Sequence, residues 1–154
     1  MFAYLLPLHS AVRWLVLIIL IAAIVRSYYA YKKAIPYRKA DKRLRELTTA
    51  ILNIQLLIGL WLYSISPLVR YFLQNFQKGV KLREIRFFGM EHSLMMLIAV
   101  ILVSIGSAKA RKQRTDADKF RTQWLWYGIA LLVILSSIPW SFSPLTSRPL
   151  IRWF

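Results

Sequence analysis

Cysteine is missing from this chain of 154 residues, which excludes disulfides, iron–sulfur clusters and thiolate sites. Histidine is nearly missing too, with two residues, and no HxxxH or ExxH spacing accompanies them. No glycine-rich phosphate loop is present, so a nucleotide-binding reading has no anchor. Carboxylates are scarce: six Asp and Glu stand against 22 Lys and Arg, giving a formal charge of +16. Apolar residues, in contrast, make up 58% of the chain. Apolar bulk and positive charge are compatible if the first fills bilayer-spanning segments and the second is confined to the connections between them. The basic clusters adjoin long apolar runs instead of decorating a polar chain, so no nucleic-acid partner is expected.

The length predicts a single transmembrane domain over 1–154, with spans at about 4–29, 45–66, 88–108 and 120–140. A helix rises about 1.5 Å per residue, so roughly 20 residues cross a hydrocarbon core of about 30 Å. No basic region precedes the first run and no small-residue cleavage motif follows Val25, so this run is read as a span, not a cleaved signal. Pro7 suits its first helical turn, and Tyr28, Tyr29 and Tyr31 mark its far interface. Asp41 is the expected N-cap of the second helix, and Pro67 its terminator. Thr48, Thr49, Asn53 and Gln55 on that helix are costly against lipid and are expected to face the bundle interior. Between spans two and three, Val69, Phe72, Leu73, Phe76 and Val80 recur at helical spacing among Arg70, Gln74, Gln77, Lys78 and Lys81. This predicts a short amphipathic helix on the membrane surface, with a plain loop through Gly79 as the alternative. The tail Ser141–Phe154 is expected to lie along the interface.

One pattern occurs twice: His-Ser, apolar helix, basic loop, Ala-Asp-Lys, apolar helix, and serine just before proline. Its landmarks are His9 and His92, Asp41 and Asp118, Pro67 and Pro139. The fold class that follows is all-α, a transmembrane four-helix bundle built from two repeated helical hairpins. Both repeats begin on the same side of the bilayer, so the implied symmetry axis runs along the membrane normal. Lysine and arginine concentrate in the loops joining spans one to two and three to four, which places those loops in the cytoplasm. Both termini then lie outside, and so do the two histidines, at matching depths near the outer leaflet.

Two imidazoles presented at equal depth by helices of one bundle can ligate a haem iron from both faces. Such six-coordinate iron suits electron transfer better than oxygen binding. Arg13 stands four residues after His9 on the same helix face, and needs an anionic partner that a haem propionate or Glu91 could provide. Met96, about one turn past His92, fits a haem wall or an ordinary helix interface. Zinc, copper or non-haem iron would usually recruit more ligands than these two histidines and one carboxylate.

Leu8-His9 opening the first span, Gly59-Leu60-Trp61-Leu62 ending the second and Gly89-x-x-His92 opening the third resemble the small four-span bacterial membrane haem proteins. This loose group includes cytochrome b-like proteins and the HemJ-type protoporphyrinogen oxidases. The resemblance implies b-type haem in a four-helix bundle, with His9 and His92 as the matching positions. The HemJ pattern carries a lysine two residues beyond the third-span histidine, where this chain has Leu94. The expected function is therefore electron transfer and not a stand-alone enzyme activity. The expected setting is the bacterial inner (cytoplasmic) membrane, with quinol or a membrane or periplasmic redox partner. A cofactor-free membrane subunit or scaffold of a larger complex, or a HemJ-like porphyrinogen oxidase, are the alternatives.

Overall fold

The computed structural model describes residues 1–140, and the described part is all-helical. Four long helices, α1 (Phe2–Lys32), α2 (Lys39–Ile65), α6 (His92–Lys112) and α7 (Asp116–Ser137), dominate. Short helices α3 (Pro67–Gln74), α4 (Phe76–Gly79) and α5 (Arg83–Arg86) lead into a π-helical turn, Phe87–Glu91, that runs directly into α6. The long helices pack in a ring in which α1 touches α2 and α7, and α6 touches α7 and α2. Helices α1 and α6 therefore face each other across the diagonal.

Local chemistry sets the ends of these helices. Arg38, in extended conformation, is the N-cap of α2, and its backbone N–H donates to the Asp41 carboxylate at 2.9 Å. Asp41 is thus the third helical residue, not the cap itself. In the second hairpin Asp118 holds the corresponding place: Thr115 caps α7 by accepting from the Asp118 N–H at 3.1 Å. The repeated Ala-Asp-Lys triplets occupy the same three positions of their helices. Ser66 caps α3 with Pro67 at its first position, which bends the chain out of α2. Helix α1 begins at Phe2, earlier than its apolar pattern suggests, so Pro7 lies inside it and leaves one carbonyl without its helical donor.

Small residues let the helices close on one another. Ala23, Ala99 and Ala130 are fully buried beside Leu20, Leu52, Val103 and Tyr127. At Gly106 an added Cβ would overlap Trp126 of α7, which shows how closely α6 and α7 approach. The outer faces are apolar as well: Ile18 of α1 is 65% exposed, Leu57 of α2 65% and Leu132 of α7 69%. Exposed apolar stripes of this extent belong against lipid.

Three stretches are long and apolar enough to cross a membrane: Phe2–Lys32, Lys39–Ile65 and the continuous run Arg83–Lys112. Helix α7 is not among them. The expected fourth span, 120–140, stays helical only to Ser137, and Arg121, Gln123, Trp124 and Tyr127 dilute its first half.

The connection after α2 is helical, as its periodicity predicts. Its apolar residues divide, however: Val69 and Phe72 turn into the bundle, while Leu73 and Phe76 turn outward. Asn53 departs from its expected interior position. It is exposed, and its amide donates to Thr49 O of its own helix at 2.8 Å, which satisfies the polar group locally. Thr48 is buried, as expected, and Thr49 hydrogen-bonds the Tyr127 hydroxyl of α7 at 3.2 Å. The expected interfacial tail, 141–154, lies outside the described residues.

Candidate cofactor site between the two histidines

The π-helical turn is the local device that aims His92. Such turns are rare and energetically unfavourable, and they recur at functional sites. Here the turn is held from outside: the Tyr63 hydroxyl of α2 donates to Gly89 O at 2.8 Å, and Gly89 lies so close to Phe72 that a Cβ would overlap the ring. Only glycine allows the α3 strap to seat on this turn. The wider turn also brings residues five apart onto one face, and Arg86 Nε donates to Glu91 at 2.7 Å. Glu91, expected as a cofactor-side residue or as the partner of Arg13, therefore pairs with Arg86 instead.

His92 follows immediately. Its Nδ1 lies 2.8 Å from the Ser137 carbonyl oxygen at the end of α7. A carbonyl only accepts, so Nδ1 carries the proton and Nε2 keeps its lone pair. That is the orientation given to imidazoles that ligate metals, where the second nitrogen is fixed by a backbone carbonyl or carboxylate. The ring is walled by Phe87 and Phe88, at 5.7 and 6.2 Å between centroids.

His9 approaches from α1 across the diagonal. The two ring centroids are 6.5 Å apart with their planes at 77°. Two imidazoles on opposite sides of one metal, each nitrogen about 2 Å from it, place their centroids roughly 6–6.5 Å apart. His9 Nδ1 is buried and has no hydrogen-bond partner among the described residues, and neither does the buried Oε1 of Gln55. Gln55 spends its Nε2 on the His9 backbone carbonyl at 2.9 Å, tying α2 to α1 at this level. One turn along α2, Gly59 opens space for the ring: a Cβ there would sit 3.2 Å from His9 Cε1.

Arg13 lies one turn beyond His9, within electrostatic reach of both imidazoles, with its guanidinium 5.4 Å from the Trp14 ring centroid. Met96 is partly buried against the hydrophobic core, one turn past His92. Of the expected site residues, His9, His92 and Arg13 thus gather at one level, Met96 flanks them as a packing residue, and Glu91 is held aside. Gln55, Gly59, the Ser137 carbonyl and the π turn complete the site. Of these, Gln55 was expected to face the bundle interior, and Gly59 and Gly89 belong to the motifs that carry the resemblance; the Ser137 carbonyl and the π geometry itself had no sequence signal. Among the described residues no three His, Asp or Glu side chains converge to hold a metal ion. The protein offers two nitrogen donors, which suits a metal that brings its remaining ligands with it.

Comparison of the chain with family models, with curated proteins and with solved structures finds no match.

Proposed function

We propose that the chain is an integral membrane haem b protein that transfers electrons, in which His9 and His92 would hold the iron. The observation that carries this reading is the close pair of imidazoles on diagonal helices, 6.5 Å between centroids with their planes at 77°, with His92 fixed through Nδ1. Zinc takes four ligands and would be left short by two histidines, whereas a porphyrin supplies four nitrogens of its own. Haem iron bound by this pair supplies one-electron redox chemistry. The residues around it have separable roles. The Ser137 carbonyl fixes the His92 tautomer, Gly59 keeps α2 clear of the His9 ring, and Arg13, near both imidazoles, would supply the positive charge for a propionate. Phe87 and Phe88 keep water from the His92 side.

In this reading α7 is the fourth span and the bundle is two repeated hairpins. Support comes from the packing of α7 between two apolar spans and from its exposed stripe of Leu125, Ile129 and Leu132. The basic stretches 32–39 and 109–114, around the turns that follow α1 and α6, face the cytoplasm of a bacterial inner membrane, and both termini face outward. A quinol in the bilayer or a periplasmic redox protein is the electron partner proposed.

A cofactor-free subunit is the second reading. It draws on the His92–Ser137 and His9–Gln55 bonds, which tie α6 to α7 and α1 to α2 without a cofactor. A porphyrinogen oxidase of the HemJ type is less well supported, because Leu94, at the position of that group's lysine, is 52% exposed on the outer face of α6. The test is a visible spectrum of the purified protein and three variants. His9→Ala and His92→Ala each abolish the six-coordinate haem spectrum, and Arg13→Ala lowers haem retention without changing the axial signature. Wild-type haem spectra in both histidine variants would sink the proposal.

A further inference from the structure

We infer that the elbow between α2 and α3 is a binding site for an anionic phospholipid, independent of the histidine pair. Where α2 ends, Ser66 and Pro67 turn the chain sharply, and an open groove of about 270 Å³ remains in the bend. It is lined by Tyr63 and Ser64 of α2 and by Val69, Arg70, Leu73 and Gln74 of α3. The volume lies just below the roughly 300–1,000 Å³ of enclosed small-molecule pockets, and the groove is open along one side. An acyl chain lying in it, continuous with the bilayer, fits that shape better than an enclosed ligand does.

Three further observations specify the occupant. The first is depth: α2 is a candidate span that ends at Ile65, so the bend lies at a membrane surface. Trp61, 51% exposed one turn earlier, is a residue of the membrane–water interface, where lipid phosphates reside. The second is charge. Arg70 is exposed at the rim; its backbone N–H donates to Ser66 O at 3.0 Å, while its guanidinium and the Gln74 side-chain amide make no hydrogen bond or ion pair with any described residue. No carboxylate occurs between Glu46 and Glu84 in sequence, and Glu91 is committed to Arg86. A guanidinium left open at phosphate depth is complementary to a phosphodiester, which it can bind through two parallel N–H bonds. The third is rigidity. Tyr63 forms one wall, and its hydroxyl bond to Gly89 holds that wall in place. Leu73, 63% exposed, offers apolar surface facing outward, where acyl chains would cover it. The phosphate sits on Arg70 and Gln74, and one acyl chain runs over Val69 and Leu73. Lys78, exposed one turn beyond Gln74, favours an anionic headgroup over a zwitterionic one.

The experiment is native mass spectrometry of the full chain released from membranes in a mild detergent, then titrated with phosphatidylglycerol or phosphatidylcholine. Wild type retains a phosphatidylglycerol that phosphatidylcholine does not displace. Arg70→Gln weakens that retention about tenfold, the scale of one lost charge-assisted contact. Leu73→Gln weakens it as well, while Lys81→Gln, an exposed cation away from the groove, leaves it unchanged. Both Arg70 and Leu73 are exposed, so the fold survives, and circular dichroism checks this. Equal retention by Arg70→Gln and wild type would overturn the site. So would an equal loss in Lys81→Gln, which would mean diffuse attraction only. A second copy of the chain or an acidic protein that accompanies wild type in place of lipid, and is lost in Arg70→Gln, would overturn it too.

Discussion

Replacing Arg26 with Met isolates one buried charge. Arg26 Nε donates to Asp41 Oδ1 at 2.8 Å and Nη2 to Oδ2 at 3.4 Å, which closes the loop between α1 and α2. The two partners are unequal: the Arg26 side chain is 36% exposed, the Asp41 side chain 5%. Exposed pairs contribute about 0–1 kcal/mol, while removing one partner of a buried pair costs about 3–5 kcal/mol. This pair lies between those limits, so Arg26→Met is expected to cost about 2 kcal/mol, leaving Asp41 with the Arg38 N–H as its remaining donor. The reverse truncation is milder. Asp41→Asn still accepts from Arg38 and frees an arginine that already reaches water, for a cost of about 1 kcal/mol. The double variant should therefore be more stable than the sum of the two single losses implies. Reversible unfolding in mixed micelles, followed by circular dichroism, measures all three. An Arg26→Met loss below about 0.5 kcal/mol, or an Asp41→Asn loss larger than that of Arg26→Met, would refute the reasoning.

The same assay tests the close approach of α6 and α7. Gly106→Ala places a Cβ into Trp126 and should cost about 1–3 kcal/mol, although alanine is the better helix former; a gain in stability would contradict this. Tyr37 supplies a pH dependence. Burial pushes its phenol up to about 12, so the folded state requires it neutral. Its contribution is full below the unfolded value near 10 and is lost as pH rises from there toward 12, about 2.7 kcal/mol for two pKa units and about 1–2 kcal/mol once solvent screening of this half-exposed group is allowed for. Tyr37→Phe keeps the packing on Phe120 and should remove that part of the alkaline destabilisation; identical profiles would refute the assignment. For topology, the chain has no cysteine, so single cysteines at Gln77 and Thr115 report cleanly. An impermeant reagent in intact cells should label Gln77→Cys and not Thr115→Cys, and the opposite pattern would invert the proposed orientation.

Much of the fold was legible because its signals are local. Apolar runs, Pro67, and the caps around Asp41 and Asp118 each act within a few residues, so sequence alone located the four long helices to within a few positions. The errors have a common physical source in choices between equally satisfying partners. Asn53 was expected inside, yet a carbonyl of its own helix satisfies it. Glu91 was expected to look toward Arg13, yet the π turn delivers Arg86. Nothing in Phe87-Phe88-Gly89 announces that turn, because it is stabilised by Tyr63 and Phe72, which lie far along the chain. The histidine pair was legible through the repeat, which predicts equal depth. The 6.5 Å separation and the Ser137 carbonyl depend on how diagonal helices pack, and that is set by the small residues in the core.

The most direct test of the central claim is the reduced-minus-oxidised visible spectrum of the full chain purified from membranes, with haem counted per polypeptide. The account predicts a single haem b per chain, low-spin in both oxidation states and indifferent to carbon monoxide, because two imidazoles leave no open position. A fully helical protein that carries no haem when haem is plentiful, or a haem that binds carbon monoxide at once, would contradict it.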